Sequence, residues 1–189
     1  MIDVKRLSAM NAYSTDAGIS NVADFAKTFP RKIAAEKETV IALQPDLVFV
    51  ASWKDKEFVQ ALRDAKVPVF VFKAPDNFEE LATAIDQVAT LIGEKAKGKA
   101  LMAKVEARLA AVAAATAKVP KDKRPTVLSY TFYGSTYGIG TSFDSLVSKA
   151  GLVNAASKAG MSGWPQLSKE QIIALDPDIV ALPSWSFDG

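Results

Sequence analysis

Two tryptophans, Trp53 and Trp185, each close a copy of one segment. Lys37 to Trp53 reads KETVIALQPDLVFVASW and Lys169 to Trp185 reads KEQIIALDPDIVALPSW, with ten identities at a constant offset of 132 and no gap. Each copy places a large ring just past an apolar run of strand length. An indole face offers stacking and apolar burial to a flat or partly aromatic ligand. A tryptophan that covers a sheet edge and only packs satisfies the same pattern, and both readings stand. The offset is too long for a solenoid period, so the duplication points to two similar lobes in one chain.

A second aromatic group, Tyr130, Tyr133 and Tyr137, is interleaved with Gly134, Gly138 and Gly140. Tyrosine adds a hydroxyl to a stacking face, which suits a polar chelate; turn-forming glycines with aromatic lids are the alternative. No Gly-Lys-Ser/Thr follows, and Gly138-Ile139-Gly140 lacks the third glycine of a dinucleotide fingerprint. Trp164, in Ser162-Gly163-Trp164-Pro165-Gln166, either lines a cleft or packs. Tyr13, in the polar loop near the start, joins Trp53, Tyr133, Tyr137, Trp164 and Trp185 as a ligand-binding candidate. Asp46 and Asp178 follow the repeat prolines at helix-to-strand turns, where a turn or capping role accounts for them better than acid–base chemistry.

The chain has no cysteine and no histidine. That removes disulfides, thiolate nucleophiles and Ser-His-Asp catalysis, and makes a zinc or copper site improbable. No nucleophile with a plausible base is apparent, so binding without chemistry is expected: no catalytic residue, no metal ligand set and no cofactor. At 189 residues, 49% hydrophobic and 23% charged, the composition is that of a globular protein. A net charge of +2 is too small to imply nucleic acid, and the basic residues between Glu94 and Leu128 carry no interleaved aromatics. They read as a solvated helix face. No apolar stretch is long enough to span a bilayer, and the first residues lack a signal-peptide pattern. Either the protein is cytoplasmic or a signal was removed ahead of Met1.

The elements that must position these side chains alternate. A strand is expected over 4–10, a short helix over 38–43 stopped by Pro45, and a strand over 47–51 covered on both faces. A helix over 56–65 and a strand over 67–72 complete a βαβ unit. Asp76 with Glu79 reads as a capping box ahead of a helix with Phe78, Leu81, Ile85, Val88 and Ile92 on one face, ended by Gly93. A longer helix runs over 95–118, with Leu101, Val105, Leu109 and Val112 as its apolar stripe. A strand over 126–132 follows, then a helix to Ala150 capped by Ser142 and Asp144, and then the second repeat as helix 169–175 and strand 179–182. The fold class is α/β: two parallel-sheet lobes joined by a single long backbone helix, with lobes over 1–93 and 120–189 and the connection over 94–119.

The string E-x-[VI]-I-A-L-x-P-D-[LI]-V, met twice, resembles the substrate-binding proteins of bacterial ABC importers for iron–siderophore complexes and cobalamin. The VPVFVF strand, the helix after Asp76, GTSFDSLVSKAGLVNAAS and GWPQLSKEQIIALDPDIV follow that family's order, so the resemblance covers essentially the whole chain. It implies two lobes with a shallow cleft between them, a chelated iron or cobalt complex as ligand, and an ABC-transporter permease as partner. It also implies a periplasmic or cell-surface lipoprotein location, with no nucleic acid and with membrane contact only through the permease or a lost lipid anchor. Trp53 matches the aromatic after the first PDLV strand, and Trp185 takes the symmetric place. Glu57 is the candidate for the first of two permease-docking carboxylates; the offset from it reaches Gly189, which leaves the second unidentified. A ferric siderophore is the expected ligand, with cobalamin or haem on the same scaffold as alternatives. An enzyme or subunit on a nitrogenase-like two-lobed fold is the other, although such sites usually need Cys or His. Relative to the family pattern the chain is expected to be truncated at both ends.

Overall fold

Each copy of the repeat folds as a short helix, one left-handed residue and a parallel strand. The computed structural model describes residues 3–34, 36–131 and 133–182, in which the repeat helices span Lys37–Ala42 and Lys169–Leu175. Gln44 and Asp176, the residues before the two prolines, take φ of 47° and 42°. Each donates its N–H three residues back, Gln44 to the Ile41 carbonyl at 3.0 Å and Asp176 to that of Ile173 at 3.1 Å. A proline ring crowds α geometry in the residue before it, so the helix must end there. Left-handed backbone costs a non-glycine about 1–2 kcal/mol, and both copies accept it at the same place.

The chain divides into two compact units, Met1–Ala74 and Pro75–Gly189. In chain order the first contains β1 (Met10–Asn11), α1 (Ala23–Thr28), β2 (Lys32–Ile33), α2 (Lys37–Ala42), β3 (Val48–Ala51), α3 (Lys56–Asp64) and β4 (Val69–Phe72). Strand β1 pairs with β2 and β3 with β4, both in parallel. Its core is Val40, Val50, Phe58, Val59, Leu62 and Val67, contributed by α2, β3, α3 and the approach to β4. The second contains α4 (Phe78–Leu91), α5 (Lys95–Thr116), β5 (Thr126–Ser129), α6 (Ser142–Lys149), β6 (Val153–Asn154), α7 (Ala155–Lys158), α8 (Lys169–Leu175) and β7 (Ile179–Ala181). Its sheet has the order β6-β5-β7, all parallel. Leu128, Ala155, Ala156 and Leu167 form a core beneath it. The α/β class with parallel sheets is as expected from the sequence.

Several elements differ in detail. The strand expected over 4–10 is instead a 3-10 turn at Val4–Arg6 followed by the two-residue β1. The Asp3 carboxylate accepts the Lys5 N–H at 3.0 Å, which tightens the backbone there. The α1 and β2 elements were not anticipated. Strand β3 is covered on one face only: Val50 is buried, whereas Phe49 stays exposed and meets Phe70 edge-on at 5.9 Å. The cap of α4 sits one residue later than the sequence reading, because Asn77, not Asp76, has the side chain that reaches the third helical residue. Asn77 Oδ1 accepts the Glu80 N–H at 2.9 Å, and Glu80 returns a bond to the Asp76 N–H at 3.0 Å. Thr141, likewise, caps α6 in place of Ser142 and Asp144.

The packed stripe of α5 is rotated from the expected one. Met102, Val105 and Leu109 are partly covered, but Leu101 and Val112 are exposed, and Gly98 is its buried residue. Gly98 sets the rotation. A Cβ there would lie 2.5 Å from the Cβ of Ala89, itself fully buried on α4. The missing side chain lets α4 and α5 approach closely, and a propensity count sees only a poor helix former.

The second-unit sheet is tied at its start by Asp178. Its carboxylate accepts from the Thr126 N–H at 2.7 Å and from the Thr126 hydroxyl at 2.8 Å, while its own N–H donates to that hydroxyl at 3.0 Å. The turn role read for Asp178 thus extends to strapping β7 to β5. The bonds from the Thr126 backbone and hydroxyl hold its carboxyl below the ordinary value of 3.8.

Two outcomes follow. Gly98→Leu should destabilise the second unit by about 1–3 kcal/mol through overpacking against Ala89, read as a lower urea midpoint. A carboxyl whose pKa is depressed on folding adds stability above its unfolded value and loses it as pH falls through the folded one. Asp178→Asn should therefore lower the midpoint at neutral pH, and its gap from wild type should close as pH falls from about 5 toward 2.

Candidate ligand site

The second unit has an open cavity of about 470 Å³ at the carboxyl end of β5, where open parallel sheets gather ligands. Its apolar wall is Pro75, Phe78 and Leu81 from the start of α4, with Phe143 and Leu146 from α6. Tyr137 completes that wall from the glycine-rich loop, its ring tilted at 37° to Phe143 with centroids 5.7 Å apart. The polar lining consists of Asn77, Ser129, Ser142 and Ser145. A concave, mainly apolar space of this size with a few hydroxyl and amide groups is the form small-molecule sites take.

Tyr137 is held there by a second loop. The Thr136 N–H donates to the Pro165 carbonyl at 2.9 Å, Gly138 to Gly163 at 2.8 Å, and Leu167 to Gly134 at 2.9 Å. Together with the antiparallel bridge Ser135↔Gln166 and the parallel bridge Ile139↔Ser162, these bonds zip the loop that carries Tyr137 to the loop that carries Trp164. Gln166 adds to the seam, its amide group lying 3.0 Å from the carbonyls of Tyr133 and Gly134, to which its nitrogen donates. Gly138 is sterically required. A Cβ would fall 2.2 Å from the Met161 carbonyl oxygen, so no other residue allows the two loops to close.

Beneath the loop lies a buried polar network. Asn154 donates to the Tyr137 carbonyl at 2.8 Å and to the Asp144 carboxylate at 3.0 Å. Ser157 donates to the same carboxylate oxygen at 2.5 Å, and the Thr136 hydroxyl donates to the Ser129 carbonyl at 2.6 Å. Asn154 thereby joins the loop that carries Tyr137 to the helix that carries Phe143. Satisfied polar groups out of water hold a single geometry, because each broken bond would leave a desolvated partner.

The remaining predicted residues have varied positions. Tyr133 and Trp164 are exposed at 81% and 63%, on the two zipped loops. Trp53 lies just past β3 in the first unit, 74% exposed, with the edge of Phe72 at a centroid distance of 6.4 Å. Its ring contact among the described residues is thus with Phe72, and most of its surface is exposed. Tyr13 projects from the 3-10 turn Ala12–Thr15, also exposed. Trp185 falls outside the described residues. Glu57 is exposed in the first turn of α3, whose start is fixed by Asp55 accepting the Phe58 N–H at 2.6 Å. That bond, with a further one from Lys54, lowers the Asp55 pKa.

The cavity also uses residues that sequence reasoning assigned elsewhere or passed over. Phe78 and Leu81 were counted in a helix stripe, Ser142 as a cap, and Phe143, Ser145 and Leu146 were not singled out. The signal that could have found them is the rule that pointed to the tyrosine loop, carried on to the helix that follows it. Among the described residues no three of His, Cys, Asp and Glu gather to hold a metal ion.

Gly138→Ala should separate the two loops. The expected result is a destabilisation of about 1–3 kcal/mol by overpacking, together with faster amide exchange at Gly138, Ile139 and Gly163.

Comparison with known proteins shows the family. The profile of the periplasmic binding protein family matches residues 10–187. The cobalamin-binding protein of Halobacterium salinarum is 33% identical over 144 residues, covering 76% of this chain and 39% of that protein. YvrC of Bacillus subtilis, described as an ABC transporter substrate-binding lipoprotein, is 25% identical over 149 residues, covering 76% of this chain and 47% of its own length. The chain thus spans less than half of these curated relatives. The periplasmic heme-binding protein RhuT from Roseiflexus sp. RS-1 superposes with a TM-score of 0.74 at 27% identity, over 86% of this chain and 64% of that one. With the family profile matched along almost the whole sequence, residues 10–187, the chain belongs to the periplasmic binding protein family.

Proposed function

We propose that this chain is the substrate-binding part of an ABC importer, capturing a metal chelate outside the cytoplasm and presenting it to a membrane permease. The cavity beyond β5 carries the reading: Tyr137 and Phe143 form a preorganised aromatic wall on a backbone locked by Gly138 and Asn154. A rigid aromatic wall binds without losing much conformational freedom, which is what a capture protein needs. The cobalamin- and heme-binding relatives support a large metal complex as cargo, and a ferric siderophore falls in the same class. With no histidine or cysteine in the chain, iron would arrive already chelated.

Trp164 and Tyr133, exposed on the same pair of zipped loops, extend the binding surface in this reading. Trp53 and Tyr13, both exposed on the first unit, are the ligand contacts proposed for that unit. Glu57, an exposed carboxylate on a well-capped helix, is the proposed contact for permease arginines, since rim charges steer docking more than they hold it. No resident cofactor is required, and an enzymatic role has no set of side chains to support it among the described residues.

Titration of the protein with ferric tris-hydroxamate, cyanocobalamin and hemin, followed by tryptophan and tyrosine fluorescence, tests the reading. At least one complex should quench and saturate, and Tyr137→Ala should weaken it by about tenfold or more, the cost of losing roughly 1.4 kcal/mol of stacking. Unchanged affinity in Tyr137→Ala would move the site elsewhere. Glu57→Lys should leave that affinity intact while lowering permease-dependent uptake.

A further inference from the structure

We propose that the cavity selects an uncharged metal chelate over an anionic one. The inference rests on the capture role proposed above and concerns the chemical class of the ligand. None of the residues lining the cavity is charged: six are apolar or aromatic, and the polar remainder are three serines and Asn77. An anion entering this space would leave water without a cation to meet it, a large cost unless something compensates.

Two helix N-termini face the cavity, α4 at Phe78 and α6 at Ser142, and both would ordinarily attract an anion. Here each already carries a side-chain cap. Asn77 accepts the Glu80 N–H at 2.9 Å, and Thr141 accepts the Asp144 N–H at 3.3 Å. Each first turn also carries its own carboxylates, Glu79 and Glu80 on α4 and Asp144 on α6. These occupy the positive ends of the helix dipoles and repel a further negative charge. Asp144 is moreover fixed in place by Asn154 and Ser157, so it cannot swing away when a ligand enters. The site thus pairs an apolar aromatic wall with an electrostatic setting that is neutral to negative. The serine hydroxyls remain as neutral donors and acceptors for amide or hydroxamate groups.

Ferric tris-hydroxamate and ferric tris-catecholate test this directly, since both enclose the same octahedral iron but the first is uncharged and the second trianionic. Calorimetric titration of the 189-residue chain should give at least roughly tenfold tighter binding for the hydroxamate. Leu146→Lys, at a lining position that is 56% exposed and so tolerant of change, should narrow that ratio by introducing a cation. Equal or tighter binding of the catecholate to wild type would overturn the inference and leave the capture role standing. A ratio unchanged in Leu146→Lys would also overturn it. If neither chelate, nor cyanocobalamin or hemin, binds wild type, the capture role itself fails and the inference falls with it.

Discussion

The close approach of the Gly138 backbone to Met161 is the contact on which the candidate site depends. It lets the glycine-rich loop lie against the loop carrying Trp164, and a series of backbone hydrogen bonds, from Leu167 to Gly134 through to Ile139 to Met161, then runs between them. Once closed, that seam leaves Tyr137 one direction in which to point. Asn154 ties the Tyr137 carbonyl to the Asp144 carboxylate on α6, so the aromatic pair Tyr137–Phe143 is set from both sides. A wall made this way is stiff before any ligand arrives, and its binding energy is not spent on ordering side chains.

The duplicated segment also has a structural job, separate from any role of its tryptophans. Its shared chemistry is backbone chemistry: a helix ended by a left-handed residue before proline, then a parallel strand. The copies have also diverged around this frame. In the second, Asp178 has become a strap that takes both polar hydrogens of Thr126. Its helix also starts with a reciprocal cap between Ser168 and Gln171, whereas the first copy's helix starts at Glu36 without a side-chain cap. A repeated fold unit preserves the geometry that sets strand direction and leaves side chains free to specialise.

Much of this architecture was legible in the sequence because it follows from local rules. Proline after a short helix marked both repeat turns, and continuous apolar runs marked the parallel strands. What was not legible depends on which atoms meet across the fold. The rotation of α5 is decided by Gly98 against Ala89, a contact no helical stripe reveals, so Leu101 and Val112 were assigned to the packed face although they are exposed. The caps of α4 and α6 differ from the expected residues because Asn77 and Thr141 have the side chains that reach the third helical N–H, while Asp144 is engaged by Asn154 and Ser157. Tyr137 and Trp164 were each legible as candidates, but the zipping of their two loops depends on hydrogen bonds between residues far apart in sequence. Phe78 and Leu81 carried helical periodicity that hid their place in the cavity wall.

The account's central claim is that a chelate seats against Tyr137 and Phe143. Paramagnetic broadening of backbone amide signals by bound high-spin ferric iron tests it most directly, because the effect falls steeply with distance from the metal. The account predicts the strongest broadening at residues 137–146 and 77–81, with the tie at Asn154 close behind. Broadening centred elsewhere, with the Tyr137 and Phe143 amides unaffected in the saturated complex, would contradict it.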